Sequence, residues 1–152
     1  MPQSLWHELT CHLNTASAGR QESGAFLLGG IDVAGSRVAA SFVPYDALDT
    51  SALHAQAVRV RTAAFSRLYD LCEQRKQRVI ADIHAHPRSA QPSLIDKANP
   101  MMAVPGHIAL IVANYAYLPV RLEEMTFNVY KGPGQWFTAT GRDVAKYLEV
   151  SP

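Results

Sequence analysis

The sequence predicts an α/β domain of the α+β type with mostly antiparallel strands, on three observations. Short apolar runs of strand length alternate with segments of helical periodicity. Turn residues join two pairs of those runs directly, which makes them hairpins. Nothing in the 152 residues reads as a linker, a repeat or a low-complexity tract. A hydrophobic share of 48% against 18% charged residues is enough to build a core for one domain, 1–152.

The elements follow in order. Leu5, Trp6, Leu9 and Leu13 recur at helical steps, so a first amphipathic helix is expected to end near Gly19. The run 24–31 is apolar and strand-length, and Gly35 turns it into a second strand over 37–43. Pro44 to Ser51 reads as a loop, with Asp49, Thr50 and Ser51 as candidate caps. Residues 52–77 lack Gly and Pro and carry Val58, Phe65, Leu68, Tyr69 and Cys72 on one face, which predicts one long helix. Residues 78–84 return to strand character. Pro87, Pro92, Pro100 and Pro105 then punctuate an irregular stretch with a short helix at 93–98. A buried strand is expected at 107–112, a hairpin from 126–130 and 135–138 around Gly132 and Gly134, and a closing helix at 142–149.

Composition limits the function classes. Fourteen Lys and Arg against thirteen Asp and Glu give a net charge of +1, not the basic excess of a dedicated nucleic-acid binder. No run approaches the roughly 18 to 20 apolar residues of a membrane span, and Met1 to Glu8 lacks the pattern of a secretory signal. Cys11 and Cys72 read as reduced, packed side chains, and a cytoplasmic location is expected. Two cysteines against six histidines leave any metal site to imidazole and carboxylate.

The chemistry concentrates in Asp82-Ile83-His84-Ala85-His86-Pro87, followed by Ser93-Leu94-Ile95-Asp96. Side chains two apart on a strand share a face, so His84 and His86 can aim at one point. A loop with two prolines could return Asp96 to them. Two nitrogens and one carboxylate oxygen leave a fourth zinc position for water, the arrangement of a catalytic site. On spacing alone the run reads equally as a metal site or as two hydrogen-bonded imidazoles.

His84-Ala85-His86-Pro87 and Ser93-Leu94-Ile95-Asp96 together resemble the JAMM signature of the JAB/MPN zinc metalloprotease family. Glu22, ahead of an apolar strand and two residues before Gly24, matches that family's early glutamate. Six residues separate His86 from Ser93, one fewer than the family pattern. The resemblance implies a single JAB/MPN-like (cytidine deaminase-like) domain, a curved mixed sheet flanked by helices. It implies one Zn2+ per chain on His84, His86 and Asp96, with Glu22 as general base and Ser93 as hydrogen-bond donor to the oxyanion. The stretch 99–112 is similar to bacterial JAB proteins encoded beside activating- and conjugating-enzyme homologues, some in antiphage defence. The expected substrate is therefore the bond after the C-terminal tail of a ubiquitin-like protein, cleaved in deconjugation or precursor processing. Processing of a sulfur-carrier protein and a non-catalytic MPN scaffold are the alternatives.

Without that motif, Glu22 reads as a solvated strand-start residue and Ser93 as a helix N-cap. Asp82 reads first as a solvent-facing strand residue and second as a partner of His84. His107 reads as a hydrogen-bonded structural histidine, and Met101 and Met102 as packing. His7, His12 and His54 fall on expected helices. Arg59, Arg61, Arg67, Arg75, Lys76 and Arg78 read as a solvated basic face, and second as a docking surface for an acidic partner.

Overall fold

A computed structural model of the chain describes residues 1–55 and 57–152. Helix α1 (Gln3–Ser17) places Leu9 and Leu13 inward and ends on Ala18, whose φ of 49° is left-handed, one residue before the glycine expected there. Strands β1 (Ser23–Ile31) and β2 (Arg37–Pro44) form the expected antiparallel hairpin. Pro44 to Ser51 is not an open loop. A single turn of helix, α2 (Tyr45–Leu48), buries Tyr45 completely and Leu48 almost so.

The long helix expected over 52–77 is shorter: α3 runs Thr62–Arg75. The physical reason lies at Asp49, whose buried carboxylate accepts Arg61 Nε at 2.7 Å, Nη2 at 2.7 Å and the Arg61 backbone N–H at 3.1 Å. That contact holds the chain extended just before α3. An isolated bridge from Leu53 to Val58 and the Arg59 N–H to Ala52 carbonyl bond use the backbone ahead of it. Tertiary hydrogen bonds thus override the helix propensity of this Ala- and Arg-rich run. Gln56 of the expected helix lies outside the described residues.

Strand β3 (Arg78–Ala85), helix α4 (Leu94–Ala98), strands β4 (Ile108–Val112), β5 (Met125–Gly132) and β6 (Gln135–Thr140) complete the elements. The closing helix is a 3-10 turn at Gly141–Lys146 rather than an α-helix. The six-stranded open sheet has the order β2-β1-β3-β4-β5-β6, antiparallel except for β3 against β4. The fold is α+β.

Alternation along the strands divides the core in two. Ala25, Leu27, Ile83, Leu110 and Phe127 face α1, whereas Phe26 and Leu28 face α3 with Tyr45, Leu68 and Cys72. Each of these larger apolar side chains contributes roughly 1.5–3 kcal/mol by leaving water. The parity that sends Ile83 toward α1 sends Asp82 and His84 to the α3 face. No helix among the described residues is long and apolar enough to cross a membrane.

Candidate metal centre

The register of the sheet sets the first two side chains. His84 lies opposite Gly24 on β1 and beside Ile111 on β4. His86 follows the last residue of β3, where its N–H donates to the Val112 carbonyl at 2.9 Å and its carbonyl accepts Tyr115 N–H at 2.8 Å. The donating turn is unusual: Asn114, Tyr115 and Ala116 all have left-handed φ of 53° to 55°. Three such residues in a row are costly for side-chain-bearing residues. This turn fixes the backbone of His86.

Both imidazoles are buried, with their rings 4.8 Å apart and tilted by 54°. Their Nε2 atoms are 3.0 Å apart. Asp96, in the first turn of α4, brings Oδ1 to 3.5 Å from His84 Nε2 and Oδ2 to 3.2 Å from His86 Nε2. Ser93 caps α4, its backbone N–H donating to Asp96 Oδ2 at 2.6 Å while its Oγ accepts the Asp96 N–H at 3.1 Å. The serine therefore fills its cap role and orients the carboxylate at the same time.

The donor set fits a zinc ion. A tetrahedral site with bonds of about 2.0–2.1 Å separates its ligand atoms by roughly 3.3 Å; the two Nε2 atoms are 3.0 Å apart, and with one carboxylate oxygen of Asp96 the three donors lie within 4.8 Å of one another. The His86 Nδ1–H faces the Ser89 carbonyl at 3.2 Å, which leaves Nε2 with its lone pair toward the cluster. Among the described residues, His84, His86 and Asp96 form the one group of three so placed. Burial disfavours a charge on His84, yet Asp82 and Asp96 outweigh it and push its pKa up to about 10. Burial likewise opposes ionisation of Asp96, and the two imidazoles hold it well below the usual carboxylate range.

Glu22 sits at the edge of this cluster. Ser23, the next residue, donates its hydroxyl to the Leu13 carbonyl at 2.8 Å, which ties the start of β1 to α1. The Glu22 N–H donates to the His54 carbonyl at 2.8 Å. Its side chain is buried, not solvated. Burial raises its pKa, the charges of His86 and His84 oppose that, and Asp96 adds to it; the net direction is up. A raised carboxylate pKa makes Glu22 a stronger proton acceptor than an ordinary exposed glutamate. Beside the cluster lies a cavity of about 490 Å³, walled by Val58, Val60, Phe65, Ile95, Met101 and Trp136, with Asp82, His84 and Asp96 also lining it.

Asp82 departs from its first reading as a solvent-facing residue. It is 1% exposed, accepts the Tyr45 hydroxyl at 2.9 Å and faces His107 Nε2 at 2.5 Å. Its Oδ2 lies 3.8 Å from His84 Nδ1. The same parity that selected His84 and His86 also selects Asp82, so this signal was present in the sequence. Tyr45 carried no comparable signal. His107 is a hydrogen-bonded buried histidine, as expected. His7, His12 and His54 take no part in the cluster; His12 lies beside Asp46 at 3.5 Å and His7 beside Cys11 on α1. The basic segment is partly structural, since Arg61 pairs with Asp49 and Arg75 donates to Ser41 Oγ at 3.1 Å.

No family model matches the chain. A solution structure of a protein from Desulfitobacterium hafniense superposes with a TM-score of 0.64 at 18% identity, covering 91% of this chain and 88% of that one. A solution structure of a protein from Salinibacter ruber gives 0.60 at 21% identity, covering 99% and 95%. At these identities the likeness is one of fold, and it extends over nearly the whole chain.

Proposed function

We propose that the chain is a JAMM-type zinc metallopeptidase of the JAB/MPN kind. In this reading it hydrolyses the peptide or isopeptide bond after the C-terminal tail of a bacterial ubiquitin-like protein. The observation that carries this reading is the convergence of His84 Nε2, His86 Nε2 and the Asp96 carboxylate within 4.8 Å of one another. The buried Glu22 beside them supports the hydrolytic part, because a metal site needs a base to become a hydrolase.

His84, His86 and Asp96 would hold the zinc. Bound there, zinc supplies Lewis-acid polarisation of a carbonyl and lowers the pKa of water toward about 7. Glu22 takes a proton from water on its carboxylate and delivers it to the departing nitrogen. The Ser93 Oγ accepts the Asp96 N–H, so the hydroxyl hydrogen is free to donate to the oxyanion. The apolar cavity walls exclude water from the reacting bond and receive an extended tail. Conjugates of that protein, and its activating- and conjugating-enzyme homologues, are the partners this assignment entails, with antiphage defence as the setting.

The test uses zinc-loaded protein and folded ubiquitin-like fusions that carry different C-terminal tails, read by intact mass. Release after one tail, and not from unrelated unfolded peptides, is the expected result. Equal cleavage of unrelated peptides, or no cleavage of any fusion, overturns the assignment.

A further inference from the structure

We propose that Asp82 is a positioning residue for the centre: it holds the His84 ring with Nδ1–H toward its own carboxylate, so that Nε2 faces the point shared with His86 and Asp96. This inference rests on the reading of that cluster as a metal centre.

Three observations carry it. First, the His84 Nδ1 is buried and has no hydrogen-bond partner among the described residues, while Asp82 Oδ2 stands 3.8 Å away. That is about 1 Å longer than an ordinary hydrogen bond, within reach of a small turn of the ring. A buried imidazole N–H left without an acceptor is costly. Second, the carboxylate is clamped from both sides. The Tyr45 hydroxyl donates to Oδ2 at 2.9 Å and His107 Nε2 meets Oδ1 at 2.5 Å. Each carboxylate oxygen accepts two hydrogen bonds, so Oδ2 keeps capacity for His84.

Third, the clamp is built into the sheet. Gly24 lies opposite His84, and a Cβ there would collide with the Tyr45 ring. The missing side chain lets the ring lie against β1 and reach Asp82. A buried carboxylate is expensive unless partnered, and here the partners come from α2 and from the residue before β4. An acceptor behind a ligating histidine fixes its tautomer and raises its basicity.

The experiment compares zinc affinity of the full chain and of Asp82→Asn by competition with a chromophoric chelator at fixed pH. The melting temperature of each metal-free protein serves as the fold control. The expected result is an affinity loss of about 10- to 100-fold in a folded Asp82→Asn. Nitrogen NMR of the zinc-loaded proteins is the second readout, with His84 Nδ1 protonated in the unaltered chain and that signal altered in Asp82→Asn. Partial rescue by Asp82→Glu supports the role.

Should Asp82→Asn fail to fold, Tyr45→Phe takes its place, with a smaller loss of affinity expected because the carboxylate remains but is less firmly held. Affinity and His84 signal unchanged in the folded variant overturn the positioning role and leave the metal centre standing. Absence of zinc binding by the unaltered chain overturns both.

Discussion

Ser93 and Asp96 cap each other: the Ser93 N–H donates to Asp96 Oδ2 at 2.6 Å and the Asp96 N–H donates to Ser93 Oγ at 3.1 Å. The same Asp96 carboxylate faces both imidazoles, so a helix cap and a ligand orientation share one set of atoms. Loss of an N-cap hydroxyl costs about 1 kcal/mol, which corresponds to about fivefold in an equilibrium constant. Ser93→Ala should therefore weaken zinc binding by about that factor, measured by chelator competition. Unchanged affinity would show that Asp96 is oriented without its cap.

Gly24 and Tyr45 give a second expectation. A Cβ at Gly24 would meet the Tyr45 ring and lie 2.8 Å from the Ile83 carbonyl oxygen, which is backbone and cannot swing away. Gly24→Ala should lower unfolding free energy by about 1–3 kcal/mol, the usual range for overpacking. Urea titration measures it. A change within about 0.5 kcal/mol, as at an ordinary surface position, would contradict the tight packing of this tyrosine.

A charge on His84 would make zinc binding at the proposed centre pH-dependent. Burial opposes the imidazolium, but Asp82 and Asp96 push the pKa up to about 10. Zinc must displace that proton, so affinity should rise roughly tenfold per pH unit between neutrality and 10. Calorimetry in buffers of different ionisation enthalpy should find about one proton released per zinc. The metal-free protein behaves in the opposite sense. Its pKa is raised on folding, so the stabilisation is complete below the ordinary 6.5 and lost as pH rises toward 10. Affinity that does not vary with pH would contradict this account.

Asp49 titrates in the other direction. Its hydrogen bonds with the Arg61 side chain, then with Ser51, hold its carboxyl well below the ordinary 3.8. The stabilisation is present above that value and is lost as pH falls further. Asp49→Asn should lower the melting temperature at neutral pH, with the gap from the unaltered chain narrowing in acid. A gap that stays constant down to low pH would contradict the ion pair as its source.

Much of the candidate site was legible because its spacings are physical. His84 and His86 share a strand face by a period of two, and Ser93 to Asp96 is the spacing of a helix cap. Asp82 was legible by the same parity, but alternation does not say what covers a sheet face. Here the cover comes from Tyr45, 37 residues away in a segment that reads as a loop. The start of α3 was hidden for a similar reason. The run before it favours a helix, and the carboxylate of Asp49 captures Arg61 and stops it. The closing residues 142–149 carry helical composition, yet the helix there is the 3-10 segment Gly141–Lys146, which packs Val144 into the core.

Separation of metal holding from proton transfer gives the sharpest mutational contrast. Glu22 lies outside the three-donor group, so Glu22→Ala should keep zinc and lose cleavage by about 10²- to 10⁴-fold, the usual contribution of a general base. Full activity in that variant would overturn the base assignment.

In the proposed centre His84, His86 and Asp96 hold one zinc ion. The most direct measurement is the zinc-to-protein ratio of the chain purified without chelator, beside His84→Ala prepared in parallel. About one zinc per chain is expected, lost in His84→Ala. A ratio near zero in the unaltered chain, or an equal ratio in His84→Ala, would contradict it.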